Sequence, residues 1–437
     1  MGTDERIFKV ELLTRVEGEG RFRLVVRDGH VVEAKLTIFE APRFFEAFLR
    51  GRSIFEVPDI VARICGICPV AYQMSAVRAL EMALDITPLP AIVALRRLLY
   101  CGEWMESHAL HVFLLHAPDF LGYPSAVEMA ADHKDVVERG LRIKRAGNAL
   151  IELLGGRAIH PVSVRVGGFS RVPSPAELRV IRPRLVAALQ DAIAATAWAN
   201  ALPMPAFEQD YVFVALDAAN YPMEQGDSVL VSGRPPVAVT DWEANFIESQ
   251  VEHSNALQCR LPDGTPYLSG PLARLYHHAD KLHPIAARAL EDTGIRLPIR
   301  NPYQSIVARC VELVQAFAEA IDLVDAWAGA HPAYVEVTPR DATGFGATEA
   351  PRGILWHRYD IRADGTIALA NIVPPTSQNQ ARIEADLTAI AAELLTLDHA
   401  AATLRCEQLI RSYDPCISCA THFLELDIDR NSGPVGG

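Results

Sequence analysis

The chain has 437 residues, half of them hydrophobic, and 54 acidic side chains against 41 basic ones leave a net charge of −13. That much apolar mass can bury a large core, and the negative balance, with no Lys/Arg run, argues against nucleic acid or anionic lipid as a partner. The opening Met1-Gly2-Thr3-Asp4-Glu5-Arg6 is charged and leads into no apolar stretch, so a signal peptide is not expected and a cytoplasmic location is.

Over residues 8–40 apolar and polar side chains alternate. Residues 21–26, the turn Asp28-Gly29 and residues 31–36 spell a β-hairpin. Past Phe44 the period becomes helical. Helices are expected over residues 70–84, 91–116, 125–154, 175–200, 303–328 and 383–397, punctuated by Pro88, Pro118, Pro124, Pro161 and Pro173. Residues 185–207 form the most apolar segment, but Gln190, Asp191, Asn200, Pro203 and Pro205 interrupt it. It is read as a buried core helix, with no direct membrane insertion. Residues 211–273 are richer in Gly, Pro and β-branched residues, and residues 334–371 read as strands and turns. The expected class is mainly α with peripheral β, a core bundle of long helices with small β additions.

Two Cys-x-x-Cys pairs stand near opposite ends, Cys65 and Cys68 in Arg63-Ile64-Cys65-Gly66-Ile67-Cys68, and Cys416 and Cys419 in Asp414-Pro415-Cys416-Ile417-Ser418-Cys419-Ala420-Thr421-His422. Without a signal peptide, metal or redox roles outweigh disulfides. Four thiolates select soft metals such as zinc, Cu(I), Fe–S or nickel. A shared site would require the N- and C-terminal segments to meet at a buried centre, making the chain one interwoven unit. Spacing alone leaves alternatives open. Structural zinc pairs usually lie roughly 15–20 residues apart, a thioredoxin-type dithiol needs one pair after a strand, and two unrelated buried pairs would ignore their flanks. Cys101, Cys259, Cys310 and Cys406 sit singly in apolar surroundings and are read as small buried hydrophobes.

The flanks resemble the two cysteine signatures of the large subunit of [NiFe]-hydrogenases. The resemblance runs over nearly the whole chain. It includes Arg15-Val16-Glu17-Gly18, Phe44-Phe45-Glu46 with Gly51-Arg52, Gly155-Gly156-Arg157-Ala158-Ile159-His160-Pro161 with Gly167-Gly168, Gly344 and Gly346 with Glu349-Ala350-Pro351-Arg352-Gly353, and Asn371-Ile372 with Pro375-Thr376-Ser377-Gln378-Asn379. It implies that fold, with one catalytic unit over residues 1–437. Within it lie a hairpin region (8–40), a helical core (44–200), a mixed insertion (210–273), helices and a small sheet closing the site (303–422), and a tail (423–437).

The same resemblance implies nickel on Cys65, Cys68, Cys416 and Cys419, with Cys68 and Cys419 also bridging to an iron that carries CO and cyanide. Heterolytic splitting of H2 is the implied reaction. Cys416 would take the proton and Glu17 would relay it, a role suited to a carboxylate whose proton affinity an apolar site raises. Arg352, following Pro351, would hang over the open side of the metals, oriented by Asp414, and Thr376 would donate to a cyanide. Glu46, the carbonyl of Ile372 and the His422 ring would hold magnesium or a similar ion. Glu19 and Tyr72 stand where many relatives have His, and Tyr72 would reach a bridging thiolate through its hydroxyl. Ser107 stands where membrane-linked relatives have Asp, leaving Arg352 one charge partner fewer. His108, His111, His116 and His160 are read as core or supporting residues.

In the family a maturation endopeptidase removes a tail such as residues 423–437 after nickel-insertion proteins have acted, leaving His422 as the terminus. Residues 41–47, 106–111, 251–254 and 413–419 are similar to those of soluble sulfhydrogenase-like enzymes, which couple H2 to NADP(H); the NAD-linked type is the runner-up, with an H2-sensing regulatory subunit behind it. With no G-x-G-x-x-G before a helix and no third Cys cluster, the chain itself is expected to bind neither nucleotide nor Fe–S cluster. The implied partners are an Fe–S small subunit and flavin- and NAD(P)-binding diaphorase-type subunits.

Overall fold

The computed structural model describes residues 5–41, 43–330 and 332–421. An N-terminal antiparallel sheet forms from β1 (Glu5–Val10), β2 (Gly20–Arg27) and β3 (His30–Ile38). The β2–β3 turn falls on Asp28 and Gly29, both at positive φ (48° and 79°), the conformation of a tight hairpin turn.

Long helices carry the core: α1 (Pro69–Leu84), α2 (Pro90–Ala109), α3 (Lys134–Gly155), α4 (Pro175–Asn200) and α5 (Ser305–Ala326). Proline opens α1, α2 and α4 at the first position, where its missing N–H costs nothing and its fixed φ suits the helix. Ser174 and Glu177 close a capping box on α4. Helix α5 is buried along nearly all its length and forms the centre of the bundle. Helices α2 and α3 approach through glycine: a Cβ on Gly147 would lie 2.7 Å from the Gly102 carbonyl oxygen.

A second antiparallel sheet, β4 (Ala342–Ala350), β5 (Gly353–Ile361) and β6 (Ile367–Val373), packs against α1. Gly344 and Gly346 press on that helix so closely that Cβ atoms there would sit 2.0 and 2.5 Å from the carbonyls of Ala79 and Ser75. The Gly-x-Gly of the sequence is therefore a packing device. Helices α6 (Pro375–Ala389) and α7 (His399–Ser412) lead to the second cysteine pair. A four-stranded sheet in residues 213–269 fills the middle of the chain.

The expected class, mainly helical with small sheets, is the one observed. Several boundaries differ. The helix expected at 125–154 is two, Ala126–Asp132 and α3, parted at His133, whose backbone (φ −125°, ψ 45°) leaves the helical region. The helix expected at 91–116 ends in a widened π turn over Leu110–His116. The segment 185–207 is not a fully buried helix: α4 stops at Asn200, and Val186, Ala187 and Gln190 face solvent. Helix α6 starts well before residue 383, because Gln378 and Asn379, which look like loop residues, bond buried backbone at Ile354 and Ser269. Pro271–His278, Pro284–Asp292 and α7 were not anticipated as helices. Among the described residues, no helix is long and apolar enough to cross a membrane.

The candidate metal centre

The first cysteine pair sits in the turn that feeds α1, whose N-terminal amides at Val70 and Ala71 donate to Glu103 on α2 (2.6 and 3.0 Å). The second pair follows α7 and is brought back across the start of the chain. The Ile417 N–H donates to the Glu17 carbonyl at 2.8 Å, making a parallel bridge between Glu17 and Cys416. Gly18 and Gly20 make room: a Cβ on either would lie 2.7 Å or less from the Ile417 side chain. Arg43 ties the two segments together, one terminal nitrogen donating to the carbonyls of both Ile64 and Ser418.

The result is a cluster of four buried sulfurs, all within 4.8 Å of one another. Cys416 and Cys419 Sγ are 2.9 Å apart, Cys65 and Cys416 3.4 Å, and Cys68 and Cys419 3.5 Å. Hydrogen bonds from Cys416, Cys419 and Cys68 push the Cys65 thiol well below its ordinary range, while burial pushes Cys416 well above it. Four thiolates could not share this volume without a cation. The donor set thus fits a soft metal centre bound from both ends of the chain. Among the described residues this is the only such group. Cys101, Cys259, Cys310 and Cys406 are buried apart from it.

Arg352 is buried beside the cluster. Its Nε donates to the Asp414 carbonyl (2.7 Å), one terminal nitrogen to Asp414 Oδ1 (3.1 Å) and the other to Ser107 Oγ (3.4 Å). Burial works against its charge, but Asp414 and the sulfurs of Cys416, Cys68 and Cys65 hold its proton more tightly than usual. Behind it lies an ion cluster that sequence reasoning missed. Arg274 chelates Glu312 with two nitrogens (2.7 and 2.8 Å), reaches Glu349 (2.9 Å), and donates to the carbonyls of Ala350 and Pro351. The backbone entering Arg352 is thereby fixed. Burial raises Glu349 to about 7, while Arg274 overcomes the burial of Glu312 and holds it at about 2. His108, 2.9 Å from Glu312, is held down to about 4 by burial. Glu349 and His108 stood in segments the sequence singled out; Arg274 and Glu312 did not.

Glu17 is half-buried and lies on another side of the sulfurs. Its Oε2 is 3.1 Å from Cys416 Sγ and accepts the Ser418 N–H (3.0 Å), and its Oε1 accepts the Ser418 hydroxyl. The apolar environment expected for it is not found, because the loop folds its own hydroxyl and amide onto the carboxylate. Thr376 Oγ1 accepts the Cys416 N–H at 3.0 Å, which leaves its hydroxyl proton to give. Tyr72, buried on α1, donates to the Cys419 carbonyl at 3.4 Å. His111 and His116 are buried and His160 bonds the Ala62 carbonyl (2.6 Å). Glu46 and Ile372 adjoin, the carboxylate accepting the Ile372 N–H at 2.7 Å. His422 and the tail 423–437 lie outside the described residues.

A family model described as nickel-dependent hydrogenase matches residues 43–139 and 272–422. The alpha subunit of sulfhydrogenase 2 from Pyrococcus furiosus is 35% identical over 433 residues, spanning 96% of this chain and 100% of the relative. The alpha subunit of sulfhydrogenase 1 from the same organism is 33% identical, spanning 95% and 98%. A crystal structure of an NAD+-reducing [NiFe]-hydrogenase in the H2-reduced state superposes with a TM-score of 0.86 at 28% identity, covering 96% of this chain and 100% of that one.

Proposed function

The chain belongs to the nickel-dependent hydrogenases, as the catalytic large subunit of a [NiFe]-hydrogenase acting on H2; from that premise we propose how its own residues serve the reaction and where the electrons go. The observation that carries the reading is the four-sulfur cluster closed from both ends of the chain. Cys65, Cys68, Cys416 and Cys419 would hold nickel, and Cys68 and Cys419 would also serve an iron that carries CO and cyanide. When bound, that centre supplies the heterolytic cleavage of H2.

The chain's residues do the rest. Cys416 Sγ receives the proton and Glu17, 3.1 Å away, takes it up. Arg352 has its guanidinium fixed by Asp414 and Ser107, placed where it would meet a cyanide and incoming H2. The Thr376 hydroxyl, whose oxygen accepts the Cys416 N–H, would donate to the other cyanide. Glu46, the Ile372 carbonyl and His422 would hold magnesium, a role supported by the contact of Glu46 with Ile372.

Electrons leave through an Fe–S small subunit. The first cysteine loop comes to the surface at Arg63 and Gly66, and Ile159 (59% exposed) lies against Gly66, with Phe44, Phe48 and Phe55 exposed in the segment leading to the loop. Apolar side chains in solvent around a redox exit fit a docking face. Beyond it, flavin- and NAD(P)-binding subunits would pass the electrons to NADP in the cytoplasm, the acceptor that the sequence resemblance to soluble sulfhydrogenase-like enzymes implies. The likeness to an NAD+-reducing enzyme supports NAD as the second reading. A maturation endopeptidase acting after nickel-insertion proteins would remove residues 423–437.

An infrared spectrum of the subunit, isolated with its partner and shown by mass to end at His422, tests the centre. Bands of iron-bound CO and cyanide are expected. Their absence in such material would return the four sulfurs to structural zinc.

A further inference from the structure

The contacts around Glu17 continue beyond it. Its two carboxylate oxygens face different neighbours: Oε2 faces Cys416 Sγ and the Ser418 amide, whereas Oε1 meets the Ser418 hydroxyl. The same Ser418 Oγ lies 3.2 and 3.5 Å from the two carboxylate oxygens of Glu40. Glu40 is half-buried at the end of β3, and its Oε2 also accepts the Glu19 N–H at 3.4 Å, at the exposed turn. The arrangement is built closely. A Cβ on Gly18 would sit 2.6 Å from Glu40 Oε2 and 2.7 Å from Ile417 Cβ, and Gly18 holds φ +88°, so only glycine lets the three strands of chain converge. Asn255 fixes the Glu40 backbone from the other side, its amide donating to the carbonyls of Phe39 and Glu40.

We propose that Ser418 and Glu40 carry the proton onward from Glu17 to solvent, a hydrogen-bonded relay of carboxyl, hydroxyl and carboxylate. This rests on the proposed role of Glu17. The proton balance closes without a charged serine. Glu17 takes the proton on the oxygen that faces Cys416, and a half-turn of the carboxyl group brings it to the Ser418 side; it then passes to Ser418 Oγ, and in the same movement the Ser418 hydroxyl gives its own proton to Glu40. Glu17 is left as carboxylate, Glu40 becomes a carboxylic acid, and solvent deprotonates it at the turn. H2 production would run the same steps backwards. A serine inside the second Cys-x-x-Cys thus has a use that metal ligation does not explain. Ser418 and Glu40 act as relay residues and touch no metal.

The test uses the metal-loaded complex with its partner. D2/H+ exchange is followed by mass spectrometry in Ser418→Ala, Ser418→Thr, Glu40→Gln and Glu17→Gln, with the CO and cyanide bands recorded for each. Acid–base groups commonly contribute roughly 10²–10⁴ in rate. Because Glu17 is half-buried and some protons reach water directly, Ser418→Ala and Glu40→Gln should slow exchange by about tenfold. They should also lower the ratio of doubly exchanged H2 to singly exchanged HD, with unchanged infrared bands, and Ser418→Thr should restore both. A merely structural role would not move that ratio. If Glu17→Gln is slow while Ser418→Ala and Glu40→Gln exchange as the parent does, this relay is overturned and Glu17 stands. If Glu17→Gln also behaves as the parent, both readings fall. Should Ser418→Ala lack the bands, Glu40→Gln, which lies outside the Cys-x-x-Cys segment, decides alone.

Discussion

On the Arg352 side of the sulfurs every supporting side chain is buried and most are charged, whereas on the Glu17 side the carboxylate is half-buried and held by a hydroxyl and a backbone amide. The first side is over-determined. Asp414 grips Arg352 from two atoms, and Arg274 grips both the preceding carbonyls and the two glutamates behind them. Such a network cannot reorganise cheaply in a low-dielectric interior, which suits a group that must hold its place while charge changes nearby. On the second side a hydroxyl stands between two carboxylates, groups that exchange hydrogen-bond roles easily, which suits the proton relay proposed for Glu17.

The contrast breaks most visibly at Arg274. Arg274→Leu strands two buried carboxylates, and loss of one partner of a buried pair costs about 3–5 kcal/mol. The expected outcome is poor accumulation and a lower urea midpoint, partly recovered by adding Glu312→Gln. A variant as stable as the parent would mean that the ion cluster holds nothing in place. Arg352→Lys keeps the charge but loses the fork that spans Asp414 and Ser107. Turnover should fall by roughly 10²–10³, as for removal of a preorganised donor, while the infrared bands persist. Undiminished turnover would show that charge alone suffices there.

The smallest effect is one of pH. Burial holds the His108 imidazole down to about 4 from its ordinary 6.5. An unfolded chain therefore binds a proton at this position near pH 6.5 that the folded chain refuses until about pH 4. The contribution of His108 to stability is full above 6.5 and is lost as pH falls through that window, by of order 3 kcal/mol. Urea midpoints at several pH values should fall less steeply in His108→Gln than in the parent between pH 6.5 and 4. Parallel slopes would remove His108 from the account of acid sensitivity.

What the sequence made legible follows from how local each signal is. The convergence of the two cysteine pairs could be read because soft ligands at paired spacing have few other uses. Helix α1 could be read because Pro69 opens it and an apolar period follows. The break at His133 could not, since both flanking helices keep the same periodicity. Glu40 and Arg274 left no pattern at all: Glu40 meets Ser418 across 378 positions, and Arg274 meets Glu349 across 75. Side chains that act through distant partners are ordinary residues in their own neighbourhoods. Ser418, lying between two paired cysteines, was the one member of that set placed where it could have been questioned.

The single guanidinium of Arg43 that ties Ile64 to Ser418 also puts the site on a clock. Chains grow at roughly 5–20 residues per second, so Cys65 and Cys68 leave the ribosome on the order of tens of seconds before Cys416 exists. Throughout that interval the first loop has its thiols and Arg43, but not the Ser418 carbonyl that completes the tie. Two soft ligands with half a cage are open to zinc and copper as well as nickel, so the growing chain must be kept from the commoner ions until the second pair arrives.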